Sequence, residues 1–429
     1  MARSRDASAR RRRVGNVLTD IRPLQGSVDF RRLWFGQSIS QLGAQMTVVT
    51  IAYQVYVLTR SSFAVGLVGL YAVVPLVAFG LYGGALVDAF DRRKVALVTA
   101  GGLWVCSGAL VLQAVLGLGS VGVLYGVVAV QAGFYAVNNP ARQAIVPRLL
   151  PPHLLPAANA LTMAAFNLGF TVGPLLGGFI IGWGGVEVAY AVDVVTFTAA
   201  LYALVRLPSL PPDGGTGRPP GVRSVVEGLR FLGGAPNLRM TFVLDMCAMV
   251  LAQPRALFPA LALSVYAGNA STLGILQASP AVGSLIAFAV SGWIGRVHRH
   301  GIAIAVAVVA YGASVAVAGF SAVGLPGVLW LGVTFLALSG ASDMISAAYR
   351  STMLQSAAPD ELRGRLQGVF TVVVAGGPRL GDFLAGSVAS ATSEGVAMTI
   401  GGLACVAGVL LSVLLQRRFL AFDARHPTL

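Results

Sequence analysis

The sequence has little charge, cysteine or histidine. Only 11% of its 429 residues are charged, whereas soluble globular proteins carry roughly 25%. The three cysteines all fall inside apolar segments, so neither a disulfide framework nor a CxxC motif is present. The four histidines fall in predicted loops or the tail, which leaves no histidine metal site or proton relay inside an apolar segment. There is also no nucleophile–base constellation, cofactor motif or GxxxxGK[ST] phosphate loop, so we expect neither an enzyme nor a cofactor.

Acidic residues and lysine are scarce too, and the net charge is +14. Lys94 is the only lysine, so nearly all the basic residues are arginines. They lie in the N-terminal tail and in alternate loops, with no basic stripe along a soluble domain. The charge therefore predicts no nucleic-acid partner. The basic tail either contacts anionic lipids or only determines topology.

Apolar segments make up most of the chain, which is 56% hydrophobic with a mean hydropathy of +0.78. Each segment is long enough to cross roughly 30 Å of hydrocarbon as a helix. The fold predicted is all-α and integral to the membrane, with twelve transmembrane helices in two pseudo-symmetric halves. The segments lie near 33–58, 63–87, 95–117, 120–144, 157–183, 187–206, 240–266, 271–295, 302–321, 325–349, 365–390 and 395–416.

The arginines fix the expected orientation. If the N-terminus is inside the cell, the inner loops are rich in arginine and Arg60 is the only basic residue of the outer loops. This distribution follows the positive-inside rule. We therefore expect a multi-pass protein of the cytoplasmic membrane, with both termini cytoplasmic.

An offset of 208 residues relates the two halves. It pairs Arg31 with Arg239, Gly66 with Gly274, Arg142 with Arg350, and Gly173 with Gly381. Duplicated transmembrane halves are typical of secondary transporters. The predicted organisation is a disordered basic tail (1–30), an N-terminal six-helix half (31–206), a cytoplasmic linker with an amphipathic helix (207–239), a C-terminal six-helix half (240–416) and a tail (417–429).

Two motifs are candidates for gating. The first is the charged stretch GALVDAFDRRK at residues 84–94, a tight turn at the membrane surface. There Gly84 permits close packing, Asp88 can face the positive N-terminus of another helix, and Arg92 and Arg93 can pair with acids or lipid phosphates. The second is segment 5, where small residues form a packing face and a proline bends the helix, so that it can rock against its neighbour in the other half. Its residues are Gly169, Gly173, Pro174, Gly177 and Gly178.

These motifs resemble those of the major facilitator superfamily. The first is similar to its loop motif between helices 2 and 3, with Ala89 where a basic residue is common. The second matches the antiporter motif of its proton-coupled exporters, although Val128 stands where drug–proton antiporters carry an arginine. Four further stretches resemble the enterobactin (siderophore) exporter and macrolide-efflux branch: residues 255–262, 352–355, 359–365 and 381–382. The resemblance implies the superfamily's twelve-helix fold and an exporter.

Charged residues within predicted spans are the candidates for ion pairing and proton coupling, because such charges are costly in lipid. They are Asp193, Asp245, Arg255, Asp343, Arg379 and Asp382. Arg379 and Asp382 are three residues apart and can pair on one helix face. With Arg255 they suit an anionic substrate, and Asp382 is the first candidate to carry a proton. The alternative is a static ion pair between segments 7 and 11. Asp193 lies near a predicted helix end, where it would contact water.

Uncharged polar residues are candidates to line a substrate cavity. Gln37, Gln41 and Gln45 form one stripe on segment 1, and Asn138 and Asn167 lie in segments 4 and 5. The same side chains can instead hydrogen-bond neighbouring helices. The function predicted is export of a small, siderophore-like organic molecule by a monomer, through alternating access and driven by inward proton flow. Macrolide or multidrug efflux is the alternative within transport, and a non-transporting membrane sensor is a remote one.

Overall fold

The computed structural model describes residues 20–211, 230–324, 328–357 and 360–423. Its N-terminal half contains six long helical segments. They are α1 (Val28–Thr59), α2 (Ser62–Ala89), α3 (Arg92–Val115), α4 (Val121–Leu149), and α5 and α6, which are the parts of Leu155–Val205 before and after a break at Gly185. At that break the glycine takes φ 79°, a conformation that residues with a side chain rarely adopt.

The C-terminal half contains six further segments. They are α7, which starts as Pro236–Met246 and continues irregularly to Val265, α8 (Ala270–Ala289), α9 (His300–Gly324), α10 (Leu329–Ala357), α11 (Asp360–Ala391) and α12 (Glu394–Leu415). No strand occurs in the parts of the chain that the structure describes. The all-α membrane fold predicted from the sequence is thus confirmed.

Ten of the described stretches are long and apolar enough to cross a membrane. The stretch that includes α5 and α6 turns at Gly185, and α11 is a further 32-residue helix outside the ten. The predicted count of twelve spans stays a prediction beside these ten stretches and α11.

The predicted tails and linker differ in part from the structure. Residues 20–30 were expected to be disordered, but Arg22–Gly26 is helical and α1 already begins at Val28. The reason is apolar burial, since Phe30 is only 1% exposed and packs with Leu150 and Leu154. The rest of the N-terminal tail and most of the linker, including the predicted amphipathic helix, lie outside the described residues.

The two halves meet through pairs of contacts that the 208-residue offset relates. A Cβ on Gly66 of α2 would lie 2.6 Å from the carbonyl oxygen of Asp382 in α11. A Cβ on Gly274 of α8 would lie 2.7 Å from the carbonyl oxygen of Pro174 in α5. The Tyr56 hydroxyl hydrogen-bonds that of Ser264, exactly one offset away, at 2.7 Å. The duplication predicted from the sequence is therefore visible in the packing between the halves.

These contacts lie toward one end of the bundle. We call this the opposite end, because it is opposite to the end that carries the linker between the halves. It carries the turns around Arg60, Gly185, Gly268 and Thr392. The other, which we call the linker end, carries the turns around Asp91 and Ser209. At the opposite end the Ser62 hydroxyl also donates to Glu394 Oε1 at 2.9 Å, which joins α2 of one half to α12 of the other.

Candidate transport cavity

A cavity of about 300 Å³ lies between the two halves. The N-terminal half contributes α1 and α5, and the C-terminal half contributes α7 to α11. Its lining from α8 runs from Gln277 to Phe288, the part of that helix nearer the linker end. The volume is at the lower bound of small-molecule sites. The arrangement suits a site that is closed toward the opposite end by the glycine contacts.

The cavity wall combines aromatic rings with a few polar groups. Phe166, Phe170 and Phe288 supply apolar surface. The amide and charged side chains of the wall are Gln45, Asn167, Gln253, Arg255, Gln277 and Asp343. The structure thus places four of the predicted residues, Gln45, Asn167, Arg255 and Asp343, in one cavity.

The irregular backbone of α7 brings Arg255 into this wall. After Met246 the helix widens over Cys247–Leu251, breaks before Pro254, and resumes with the tight turn Arg255–Leu257. Proline cannot donate a backbone hydrogen bond, and such breaks are tolerated in membranes where they line a cavity. The freed N–H of Ala256 donates to Asp382 Oδ1 at 3.2 Å. The Tyr311 hydroxyl donates to the carbonyl oxygen of Ala252 at 3.3 Å.

A group of two arginines and one carboxylate forms beside this break. Arg255 and Arg379 both act on Asp382 through their charges. No ion pair within 4 Å joins Arg379 to Asp382 among the described side chains, so the direct pair expected from their spacing is not formed. The reason is that Asp382 is turned toward the backbone of α7. This group, which we call the basic cluster, carries one net positive charge.

A second group, which we call the acidic cluster, joins α7 to α10. Arg350 hydrogen-bonds Asp245 directly, and its other terminal nitrogen lies 3.4 Å from Asp343 Oδ1. The side chains of Arg350 and Asp245 are 6% and 4% exposed, whereas that of Asp343 is 38% exposed. Two carboxylates share one arginine, so the cluster carries one net negative charge.

Asp193 does not contact water as expected from its predicted place near a helix end. It lies inside α6 and is fully buried. Its Oδ2 accepts a hydrogen bond from the Ser107 hydroxyl at 2.7 Å, which links α6 to α3. A Cβ on Gly43 of α1 would lie only 2.6 Å from its Oδ1. Asp193 therefore holds three helices of one half together and stands apart from the cavity.

Three of the predicted cavity residues have other surroundings. Asn138 is buried and donates to the Ala96 carbonyl oxygen and to Thr99 Oγ1, so it joins α4 to α3 and does not line the cavity. Gln37 and Gln41 line a separate space of about 30 Å³ between α1 and α5. For Asn138 the second of the two interpretations given in the sequence analysis holds: its amide hydrogen-bonds a neighbouring helix and does not line the cavity, because two acceptors of α3 lie within its reach.

The glycine face of α5 packs mainly inside its own half, on α1. Added Cβ atoms on Gly169 and Gly173 would lie 2.8 and 2.6 Å from Gln41 Cγ and Gln45 Cβ of α1. Gly177 packs on Met46 of α1 in the same way. The contacts with α8 come instead from Pro174 and Gly178, which lie on another side of α5.

The charged turn before α3 is held by hydrogen bonds to the end of α6. Arg93 was expected to pair with acids or lipid phosphates, but it donates to the carbonyl oxygens of Leu204 and Val205 at 3.1 and 2.6 Å. Basic groups are favoured there because the carbonyls at a helix C-terminus are unpaired and partly negative. The backbone N–H of Arg92 donates to the carbonyl oxygen of Leu210 at 3.1 Å. Gly84 and Asp88 lie in α2, and the surroundings of their side chains are outside the described part.

Asp91 supports the same turn. It accepts hydrogen bonds from the Ser209 hydroxyl and from the backbone N–H groups of Leu210, Arg93 and Lys94. Burial raises its pKa, but these hydrogen bonds outweigh that effect and lower the pKa below the ordinary aspartate value.

Sequence reasoning missed Arg350 as a member of the site. It was noted only as the repeat partner of Arg142, because it follows the predicted end of segment 10. The available signal was its spacing: Arg350 lies seven residues after Asp343, two helical turns along the same face. Gln253 and Gln277 were missed because a single amide in an apolar run carries no local signal.

Comparison with known proteins decides the class of transporter. The family of transmembrane secretion effectors, a branch of the major facilitator superfamily, matches residues 19–426. The chain belongs to this family. It is thus an integral membrane transporter for small molecules rather than an enzyme.

Individual relatives cover nearly the whole chain. An enterobactin exporter of Citrobacter koseri is 29% identical over 394 residues, covering 91% of this chain and 93% of the relative. One of Shigella boydii is 30% identical over 402 residues, with the same coverages. The resemblance to an enterobactin-exporter branch is thereby confirmed.

Solved structures agree in fold. A POT family transporter crystallised with 5-aminolevulinic acid superposes with a TM-score of 0.74 at 11% identity, over 92% of this chain and 97% of that one. A bacterial homologue of the iron transporter ferroportin, in an inward-facing state, gives a TM-score of 0.68 at 13% identity, over 92% and 98%. At these identities the likeness concerns the fold alone.

Proposed function

We propose that this family member exports a siderophore-like small molecule across the cytoplasmic membrane by alternating access, in exchange for protons. The linker end would face the cytoplasm, as the arginine distribution predicts. The export direction is supported by the enterobactin exporters to which the chain is similar. The protein would work as a monomer without a cofactor, with the proton gradient as its energy source and anionic lipids around its basic loops.

The observation that carries the substrate class is the exposed Arg255 in a cavity with aromatic walls. Arg255 and Arg379 give the basic cluster one positive charge beyond what Asp382 neutralises. Arginine binds acidic oxygen groups through several parallel donors, and aromatic side chains stack on rings. A catecholate siderophore offers both features, with phenolic oxygens on aromatic rings. Macrolides lack both, so efflux of macrolides is the second candidate.

The structure also suits alternating access. The close contacts between α2 and α11 and between α5 and α8 shut the opposite end, while the cavity extends toward the linker end. Export would require the reverse arrangement, in which these contacts open. Protonation of a membrane carboxylate would change the relative stability of the two states.

The test is transport by the purified protein in proteoliposomes, with iron-free enterobactin as the probe. We expect uptake of enterobactin into liposomes driven by a pH gradient, acid inside, for molecules inserted with the linker end outward. Replacing Arg255 with Gln removes the charge but keeps an amide donor, so uptake should fall at least tenfold. If the protein transports a macrolide such as erythromycin but not enterobactin, the siderophore assignment is wrong and drug efflux is supported instead.

A further inference from the structure

Two charged clusters of opposite sign lie along the cavity. The basic cluster has two arginines around Asp382, so a proton bound there would raise its net charge from +1 to +2. The acidic cluster has two carboxylates around Arg350. Two carboxylates near one another disfavour double ionisation, because like charges repel strongly away from bulk water. On charge balance, the acidic cluster is the better place for an exchangeable proton.

Access to the cavity distinguishes the two carboxylates of the acidic cluster. Asp245 is nearly fully buried and is bound closely to Arg350. Asp343 lines the cavity and holds Arg350 more loosely, at 3.4 Å. A proton that enters from the cavity therefore meets Asp343 first. Since the sites interact, the proton belongs to the pair and not to either residue alone.

The fold itself does not require these two carboxylates. The 208-residue offset relates Arg350 to Arg142, and both arginines are buried, at 5% and 6% exposure. The positions that correspond to Asp245 and Asp343 are Gln37 and Tyr135, neither of which is an acid. The N-terminal half thus has the same helix arrangement with a buried arginine and without this pair of acids. The carboxylates are an addition to the C-terminal half.

The surroundings of Asp343 leave few other groups that take up or release protons. On α9 the neighbouring titratable side chain is Tyr311, which is also within electrostatic reach of Arg255. On the part of α11 whose side chains the structure describes, the charged groups are Arg379 and Asp382, already assigned to the basic cluster. Helix α8 packs closely on α10 where Gly283 meets Ala337 and Pro280 meets Gly340, and it contains no titratable residue. Across the cavity, α1 and α5 present Gln45 and Asn167.

We propose that Asp343, held by Arg350 and Asp245, is the site where proton and substrate exchange. This proposal rests on the proposed export function and assigns its coupling residue. When ionised, the Asp343 carboxylate accepts a hydrogen bond from a phenolic O–H of the substrate. When a proton binds to the pair, Asp343 loses its negative charge and accepts that hydrogen bond more weakly, so the substrate is released. One set of oxygen atoms thus serves proton and substrate in turn, and competition of this kind produces antiport.

The chain permits a clean test with Asp343→Asn. Asparagine has the shape of the protonated carboxyl but cannot bind or release a proton, and Arg350 keeps Asp245 as its partner, so the variant retains a paired arginine. Two processes are measured in proteoliposomes: exchange of labelled for unlabelled enterobactin without a gradient, and proton movement reported by an enclosed pH-sensitive dye. We expect exchange itself to be reduced, because Asp343 also contacts the substrate, and the ratio of enterobactin-dependent proton movement to exchange to fall at least tenfold.

Asp343→Glu and Asp382→Asn are the matched variants. Glutamate should restore proton movement, because it restores an ionisable oxygen pair. Asp382→Asn should reduce exchange and proton movement in parallel, since it alters the basic cluster that binds the substrate. An unchanged number of protons per enterobactin in Asp343→Asn overturns the assignment. Wild-type exchange without proton movement also overturns it, whereas absence of wild-type exchange overturns the proposed function itself.

Discussion

At the scale of single residues, Asp91 shows how one carboxylate organises a surface turn. Its hydrogen bonds to Ser209 and to the start of α3 lower its pKa. A carboxylate with a lowered pKa in the folded state contributes stability at pH values above its unfolded pKa of about 3.9. That contribution is lost as the pH falls through the lower folded value.

We therefore expect Asp91→Asn to lower the melting temperature in detergent by a few degrees at pH 7. The difference from the wild type should shrink below about pH 4, as the pH falls from the unfolded pKa toward the lower folded one. Differential scanning fluorimetry between pH 7 and pH 3 measures it. Ser209→Ala, which removes one of the donors, should show a smaller effect of the same sign. A constant difference across this pH range would contradict the account.

The sequence identified most charged residues of the site but not their partners. Arg255 and Asp343 were found because charge is rare in apolar segments. The bond between Arg350 and Asp245 joins residues 105 positions apart, and no local pattern encodes such a contact. The amide of Asn138 could be recognised as polar, but its direction depends on acceptors of α3. Composition thus identifies candidates, and tertiary packing assigns their roles.

At the scale of elements, the closeness of α2 to α11 depends on Gly66. An added Cβ there would meet backbone atoms, which cannot move aside like a flexible side chain. We expect Gly66→Leu to hold these helices apart and to reduce enterobactin transport at least tenfold. Overpacking of this kind costs roughly 1–3 kcal/mol, so the amount of folded protein should be checked by size-exclusion chromatography.

Gly80, in the same helix, is the matched control. An added Cβ at Gly80 meets nothing within 4 Å, so Gly80→Leu should transport like the wild type. The symmetry between the halves further predicts that Gly274→Leu, one offset from Gly66, causes a similar loss. Equal transport by Gly66→Leu and Gly80→Leu would show that the contact between α2 and α11 does not limit the cycle.

The glycine face of α5 shows what periodicity can and cannot predict. Spacing correctly predicted that Gly169, Gly173 and Gly177 share a close-packing face. It did not identify the helix that packs there, because several neighbours are compatible with one face. The structure assigns that neighbour as α1, whose glutamine stripe was noted separately.

At the scale of the whole molecule, the hydrogen bond between Ser62 and Glu394 joins the two halves at the opposite end. This contact must part when the cavity opens on that side. We expect Ser62→Cys combined with Glu394→Cys, in a background lacking the three native cysteines, to lose transport when a short, reducible thiol reagent links them. Reduction should restore transport to the level before cross-linking.

The two single-cysteine variants are the controls, since they react with the reagent but cannot be linked within one molecule. Measuring enterobactin uptake before and after reduction gives the comparison. Full transport by cross-linked protein would show that the opposite end does not open here.

The duplication was the most informative whole-chain pattern. An offset read from matching residues correctly anticipated equivalent halves, and Tyr56 and Ser264 meet at that offset. It could not predict how far the halves have diverged, because an offset is read only from the residues that match. Such a difference occurs at Asp245 and Asp343, because the corresponding positions of the N-terminal half hold Gln37 and Tyr135.

The turn at Gly185 has a mechanical consequence for the N-terminal half. With no loop between α5 and α6, a tilt of α5 against α8 must be passed directly to α6. Through Asp193 and Ser107 the same tilt reaches α3. Arg93, near the start of α3, is tied in turn to the far end of α6. We therefore expect this half to move as one rigid body, so that a small displacement at the cavity becomes a larger one at its ends.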